Sequence, residues 1–151
     1  MKHKGSKSEL AEERNAELLR AYTKLIGERD KISITEVSKT LAETPCSRFY
    51  ISEERANIVV GDLLKGRPLT NMIPLRREMF LELFRRFMIY KKENPSLTRM
   101  EVVSRVCKQP APKFYLTPSS IVVILYKVRK EAKRRCYEQR KRRLRFMLGT
   151  L

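Results

Sequence analysis

Of the 25 residues from position 127 onward, eleven are basic: Lys127, Arg129, Lys130, Lys133, Arg134, Arg135, Arg140, Lys141, Arg142, Arg143 and Arg145. Only Glu131 and Glu138 oppose them. Ammonium and guanidinium groups at this density suit one chemistry, the neutralisation of a polyanion. On a helix, Lys127, Lys130, Arg134, Lys141 and Arg145 share a face, a row able to follow a phosphate backbone. The ordinary alternative for a charge run is a solvated surface, but this composition is too lopsided for solubility alone. A second basic cluster, Arg76, Arg77, Arg85 and Arg86 with Lys113, is a candidate extension of the same surface.

Catalytic constellations are missing from the pattern. There is one histidine, His3, and no Gly-rich phosphate loop, no GxSxG and no carboxylate pair in an apolar setting. The three cysteines, Cys46, Cys107 and Cys136, are too far apart for a metal-ligating or redox pair. Neither an enzyme, a cofactor, a metal site nor a small-molecule substrate is expected.

The elements that must carry the basic groups follow from punctuation and period. Behind a polar, basic lead-in over Met1–Lys7, Ser6-Lys-Ser-Glu9 has capping-box form. Leu10, Leu18, Leu19, Tyr22, Leu25 and Ile26 then recur at helical spacing as far as Gly27, where a turn runs to Asp30. Ser33-Ile-Thr-Glu36 has the form of a second capping box, opening a helix over Thr35–Thr44 that stops before Pro45. Arg48–Ile51 reads as extended, and Ser52 caps a third helix from Glu53 to Lys65, ending at Gly66. After a linker over Gly66–Pro74 the order recurs: helices over Leu75–Lys92 and Arg99–Lys108, an extended Lys113–Leu116, and a helix from Pro118 to about Gly149.

That recurrence has a register. Glu17 to Lys65 lies without a gap on Glu82 to Lys130, with ten of 49 pairs identical. Ser33 falls on Thr98, Ser52 on Thr117, and Phe49-Tyr50 on Phe114-Tyr115. The expected fold is all-α, a tandem duplication of a trihelical, helix-turn-helix-like unit with a long basic C-terminal helix. Its divisions are residues 1–66, 67–130 and 131–151. Two features depart from the standard helix-turn-helix: a seven-residue, proline-bearing link before each third helix, and the wholly apolar start Ile121–Leu125. In the Phe-Tyr pairs, base-stacking competes with packing. Packing is favoured, because neighbours on extended backbone point to opposite sides. The two extended segments are candidates to pair as a small antiparallel ribbon.

The chain has net charge +17, unevenly spread. Residues 1–66 hold 12 basic and 11 acidic groups, residues 67–126 hold 11 and 4, and residues 127–151 hold 11 and 2. Nucleic acid is therefore the expected partner, with double-stranded DNA favoured over RNA. The alternative is a structural or adaptor assembly protein whose basic tail meets an acidic partner or an enclosed genome. A homo-oligomer fits either. The apolar stripe of Tyr137, Leu144 and Leu148 is narrow for a membrane surface. With no apolar stretch behind the first lysines, the cytoplasm is the expected compartment.

Overall fold

Side-chain caps begin four of the helices. Ser33, Ser52, Thr98 and Thr117 stand on extended backbone, and each hydroxyl oxygen accepts from the amide three residues on: Glu36, Arg55, Glu101 and Ser120. Thr98 and Glu101 complete a reciprocal capping box. The computed structural model describes residues 5–28, 31 and 33–149, without the side chains of 5–8. The described residues form six helices: α1 Gly5–Gly27, α2 Ile34–Ala42, α3 Glu53–Leu64, α4 Pro74–Glu93, α5 Arg99–Cys107 and α6 Pro118–Met147. The protein is all-helical. Pro74 and Pro118 sit in the first turns of α4 and α6, where a missing N–H costs nothing. Gly66, at φ +74, closes α3 in the left-handed conformation that only glycine adopts freely.

Two boundaries differ from expectation. α1 is already helical at Gly5, so Ser6 and Ser8 lie inside it and not at its cap. Met1–Lys4, and Arg29 and Asp30 of the expected turn, lie outside the described residues.

Packing does not follow chain order. Among the described residues α1, α2 and α6 pack together, and α3, α4 and α5 pack together. Each trio thus takes its third helix from the other half of the chain. Among the described residues the α3 backbone packs on neither α1 nor α2, so consecutive α2 and α3 do not form a helix-turn-helix pair. Between them the proline-bearing link bends at Ser47 and Arg48 and is tied to the other half of the chain, where the Phe49 amide donates to the Cys107 carbonyl at 3.0 Å.

The two links fill the seam between trios. Cys46 and Ala111 exchange backbone hydrogen bonds, N to O at 3.1 and 3.0 Å. They form a single antiparallel bridge, not the expected ribbon. The Phe-Tyr pairs meet through their rings: Phe49 stacks with Tyr115 at 6.2 Å and Tyr50 with Phe114 at 6.3 Å. Phe49 and Phe114 are buried and the tyrosines half-buried, which is the packing role expected of them.

Buried positions recur at intervals of 65 residues. Leu18 and Leu83, Tyr22 and Phe87, Val37 and Val102, Leu41 and Val106, Phe49 and Phe114, Ala56 and Ile121, and Val60 and Leu125 are all in the core. One pair is mismatched in polarity. Ser38, fully buried with no partner for its hydroxyl, stands where Val103 stands in the second half.

Candidate nucleic-acid interface

α6 is two helices in one. Its first half is anchored by the buried Ile121 and Leu125, with Ile124 partly buried against the core between α1 and α2. The Arg129 guanidinium lies 5.5 Å over the ring of Tyr22, fixing it to α1. The apolar stripe ends at Ala132, and from there to Gly149 every residue is exposed. At about 1.5 Å per residue, Lys133 to Arg145 spans roughly 18 Å of exposed helix.

α6 is helical throughout, so Lys127, Lys130, Arg134, Lys141 and Arg145 fall on one face of it. Among the described residues Lys127, Lys130, Lys133, Arg134, Arg135, Arg140, Lys141, Arg142 and Arg143 make neither an ion pair nor a side-chain hydrogen bond. Arg145, on the same row, is already engaged in an interaction. The row from Lys127 to Lys141 is positive charge held in water along one helix face, which is what phosphate contacts need.

The second cluster is placed differently. Glu82 accepts from Arg85 at 2.8 Å and from Arg86 at 2.9 Å. The hydrogen bond from Arg85, with that from Arg86, holds the Glu82 carboxyl down at about 2. Arg86 also donates to the Pro110 carbonyl at 2.6 Å and covers the Phe49 ring at 5.0 Å. Arg77 donates to the Leu69 carbonyl at 3.1 Å, and Lys113 pairs with Glu78 at 2.7 Å. Arg76 lies 5.8 Å over the ring of Phe80. Of these five on and around α4, Arg86 and Lys113 join α4 to the link that follows α5, Arg77 ties it to the α3–α4 linker, and Arg76 and Arg85 are held within α4 itself.

Nucleophiles and ligand sets are sparse. Burial pushes the Cys46 thiol up to about 11 and the Cys107 thiol up to about 12, so both stay protonated near neutrality. Glu17 accepts from the Ser47 amide and hydroxyl, each at 2.7 Å, and from the Tyr50 hydroxyl. Burial, then that bond, raises Tyr50 to about 12. No group of three or more His, Cys, Asp or Glu among the described residues could hold a metal. No helix there is long and apolar enough to cross a membrane.

One cation escapes a reading based on charge density alone. Arg14 occupies a stripe position of α1, four residues from Leu10 and four from Leu18, and is half-buried. An arginine at a core-facing helical position is a signal the sequence does carry.

Compared with known family models, curated proteins and solved structures, the chain has no match.

Proposed function

We propose that the protein binds double-stranded DNA, mainly through phosphate contacts of α6 from Lys127 to Arg145. The observation that carries this reading is the projection of α6 past Ala132. A helix segment that is basic all round and exposed from Ala132 to Gly149 gains little energy from burial, which leaves its charge free to attract a polyanion. Few asparagine or glutamine side chains accompany the basic ones, so the contacts position the protein without reading bases. On this reading the chain is a tandem duplication of a three-helix sequence, residues 1–66 and 67–130, whose third helices are exchanged in packing, with 131–151 as an extension. The recurrence of buried positions and the Cys46–Ala111 pairing, each across 65 residues, support that duplication.

Fluorescence anisotropy of labelled duplex DNA, with the full chain and a truncation ending at Lys130, tests the proposal at several salt concentrations. If about six phosphates are neutralised, log affinity falls against log salt with a slope of roughly −5. Loss of binding on truncation is the expected result. Equal binding by both proteins overturns the role of α6, and an RNA probe bound more tightly overturns the choice of duplex DNA.

A second reading has its own observation. Tyr137, Leu144, Phe146 and Met147 are 59–80% exposed on the projecting helix, which suits an assembly or adaptor protein. Rings or higher oligomers in sedimentation without nucleic acid would favour it over a cytoplasmic DNA-binding monomer or dimer.

A further inference from the structure

A concavity of about 780 Å³ opens where the start of α1, the start of α3 and the α3–α4 linker converge. Arg14, Arg55 and Arg76 line it, and Leu10, Ile58 and Met72 supply apolar wall. A continuation of about 360 Å³ shares Arg14 and Arg76 and reaches Thr117 and Ser120 at the start of α6. Ser120 lies 13 residues before Lys133, so the concavity is roughly 20 Å along α6 from the projecting charge.

Its arginines are short of anions. Among the described residues none of the three pairs with a carboxylate. Arg14 forks onto the Asn15 side-chain oxygen at 3.2 and 3.1 Å, and Arg76 rests on Phe80. The nearby Glu17 is already taken by Ser47 and Tyr50. Glu54 is the one carboxylate in the wall, and it engages none of them. A half-buried guanidinium without a counter-ion is costly, and burial accordingly lowers its pKa. An anion entering beside it would recover that cost. The wall offers the rest of such a ligand an apolar surface, since Ile58 and Ile73 are 54% and 67% exposed there.

We propose that this concavity binds an organic anion, its carboxylate or phosphate held between Arg14 and Arg76 and its apolar body against Leu10, Ile58 and Met72. No group there is placed to do chemistry, so the anion is a ligand and not a substrate. The site shares no residue with α6 beyond Ser120 and stands whether or not α6 binds DNA.

The test is a fluorescence titration of the full chain, without nucleic acid, using anilinonaphthalene sulfonate, an anion with an apolar body. A saturable rise with one dye per chain is expected. Arg14→Gln or Arg76→Gln should weaken it about tenfold, as loss of a charged hydrogen bond does. Ile58→Glu changes a largely exposed side chain and should abolish the rise in a chain of unchanged circular dichroism, which keeps the test decisive if an arginine variant fails to fold. Decanoate should displace the dye, and decanol at the same concentration should not. The combined Lys133→Gln, Arg134→Gln and Arg135→Gln variant should bind the dye as the parent does. Absence of saturable binding, wild-type affinity in the groove variants, displacement by decanol, or loss of binding in the α6 variant would each overturn the proposal.

Discussion

Cys46 and Ala111 hold each other by two backbone hydrogen bonds, and that bridge marks where the two links pass between the helical trios. Among the described residues the helix backbones of one trio do not approach those of the other closely. The halves are joined by exchange of α3 and α6 and by the aromatic seam.

Cutting the chain at its linker should therefore unfold both pieces. Residues 1–66 alone leave α1 and α2 without α6, and α3 without α4 and α5. The expected far-ultraviolet circular dichroism is that of weakly helical peptides, because short isolated helices are marginal in water. Mixing residues 1–66 with 67–151 should restore most of the helical signal. Full helicity in either piece alone would contradict the exchanged packing.

Ser38 buries a hydroxyl that has no partner in an otherwise apolar layer. Ser38→Ala removes the unsatisfied group at little cost in volume and should stabilise the fold by about 1 kcal/mol. That corresponds to a rise in Tm of roughly 3 °C for a domain of this size, measurable by calorimetry. A fall in Tm would mean that the hydroxyl is satisfied in solution.

Glu82 gives stability a pH dependence with a definite sign. Its folded-state carboxyl is held at about 2 against an ordinary 4.5, so its contribution is present above about 4.5 and lost as pH falls towards 2. Glu82→Gln should lower stability at neutral pH and flatten that limb of the curve, as followed by urea titrations at stepped pH. An unchanged acid limb would show that the Arg85 and Arg86 contacts do not persist in solution.

Amides of α6 beyond Ala132 belong to residues that are exposed throughout. In the free protein they should exchange hydrogen far faster than those of residues 118–130, which are tied to the core. If the proposed interface is right, duplex DNA should slow exchange there and leave the amides of α5 unchanged.

Much of this was legible beforehand, and the limits are instructive. Caps at Ser33, Ser52, Thr98 and Thr117, with stops at Pro45 and Gly66, fixed the helices to within about two residues, because such signals are local. The neighbours of α3 and α6 were not legible. Apolar stripes at Ala56 and Val60, and at Ile121 and Leu125, name the inward face of each helix. The same two positions recur in both halves, so either helix fits either trio by pattern. On the surface, Glu82 sits three and four residues before Arg85 and Arg86, and that pairing was readable from spacing. The Lys113–Glu78 pair spans 35 residues and was not. α6 was the clearest element, since net charge needs no tertiary knowledge.

The exchange of third helices also orders the protein in time. α3, α4 and α5 are contiguous along the chain, so their trio can close as soon as Cys107 has left the ribosome. α1 and α2 are synthesised first, yet their core must wait until α6 has emerged. In the interval Leu18, Val37 and Leu41 present an uncovered apolar face, the kind of surface that chaperones bind and that seeds aggregation. The helix that relieves this exposure is the one that bears the basic row.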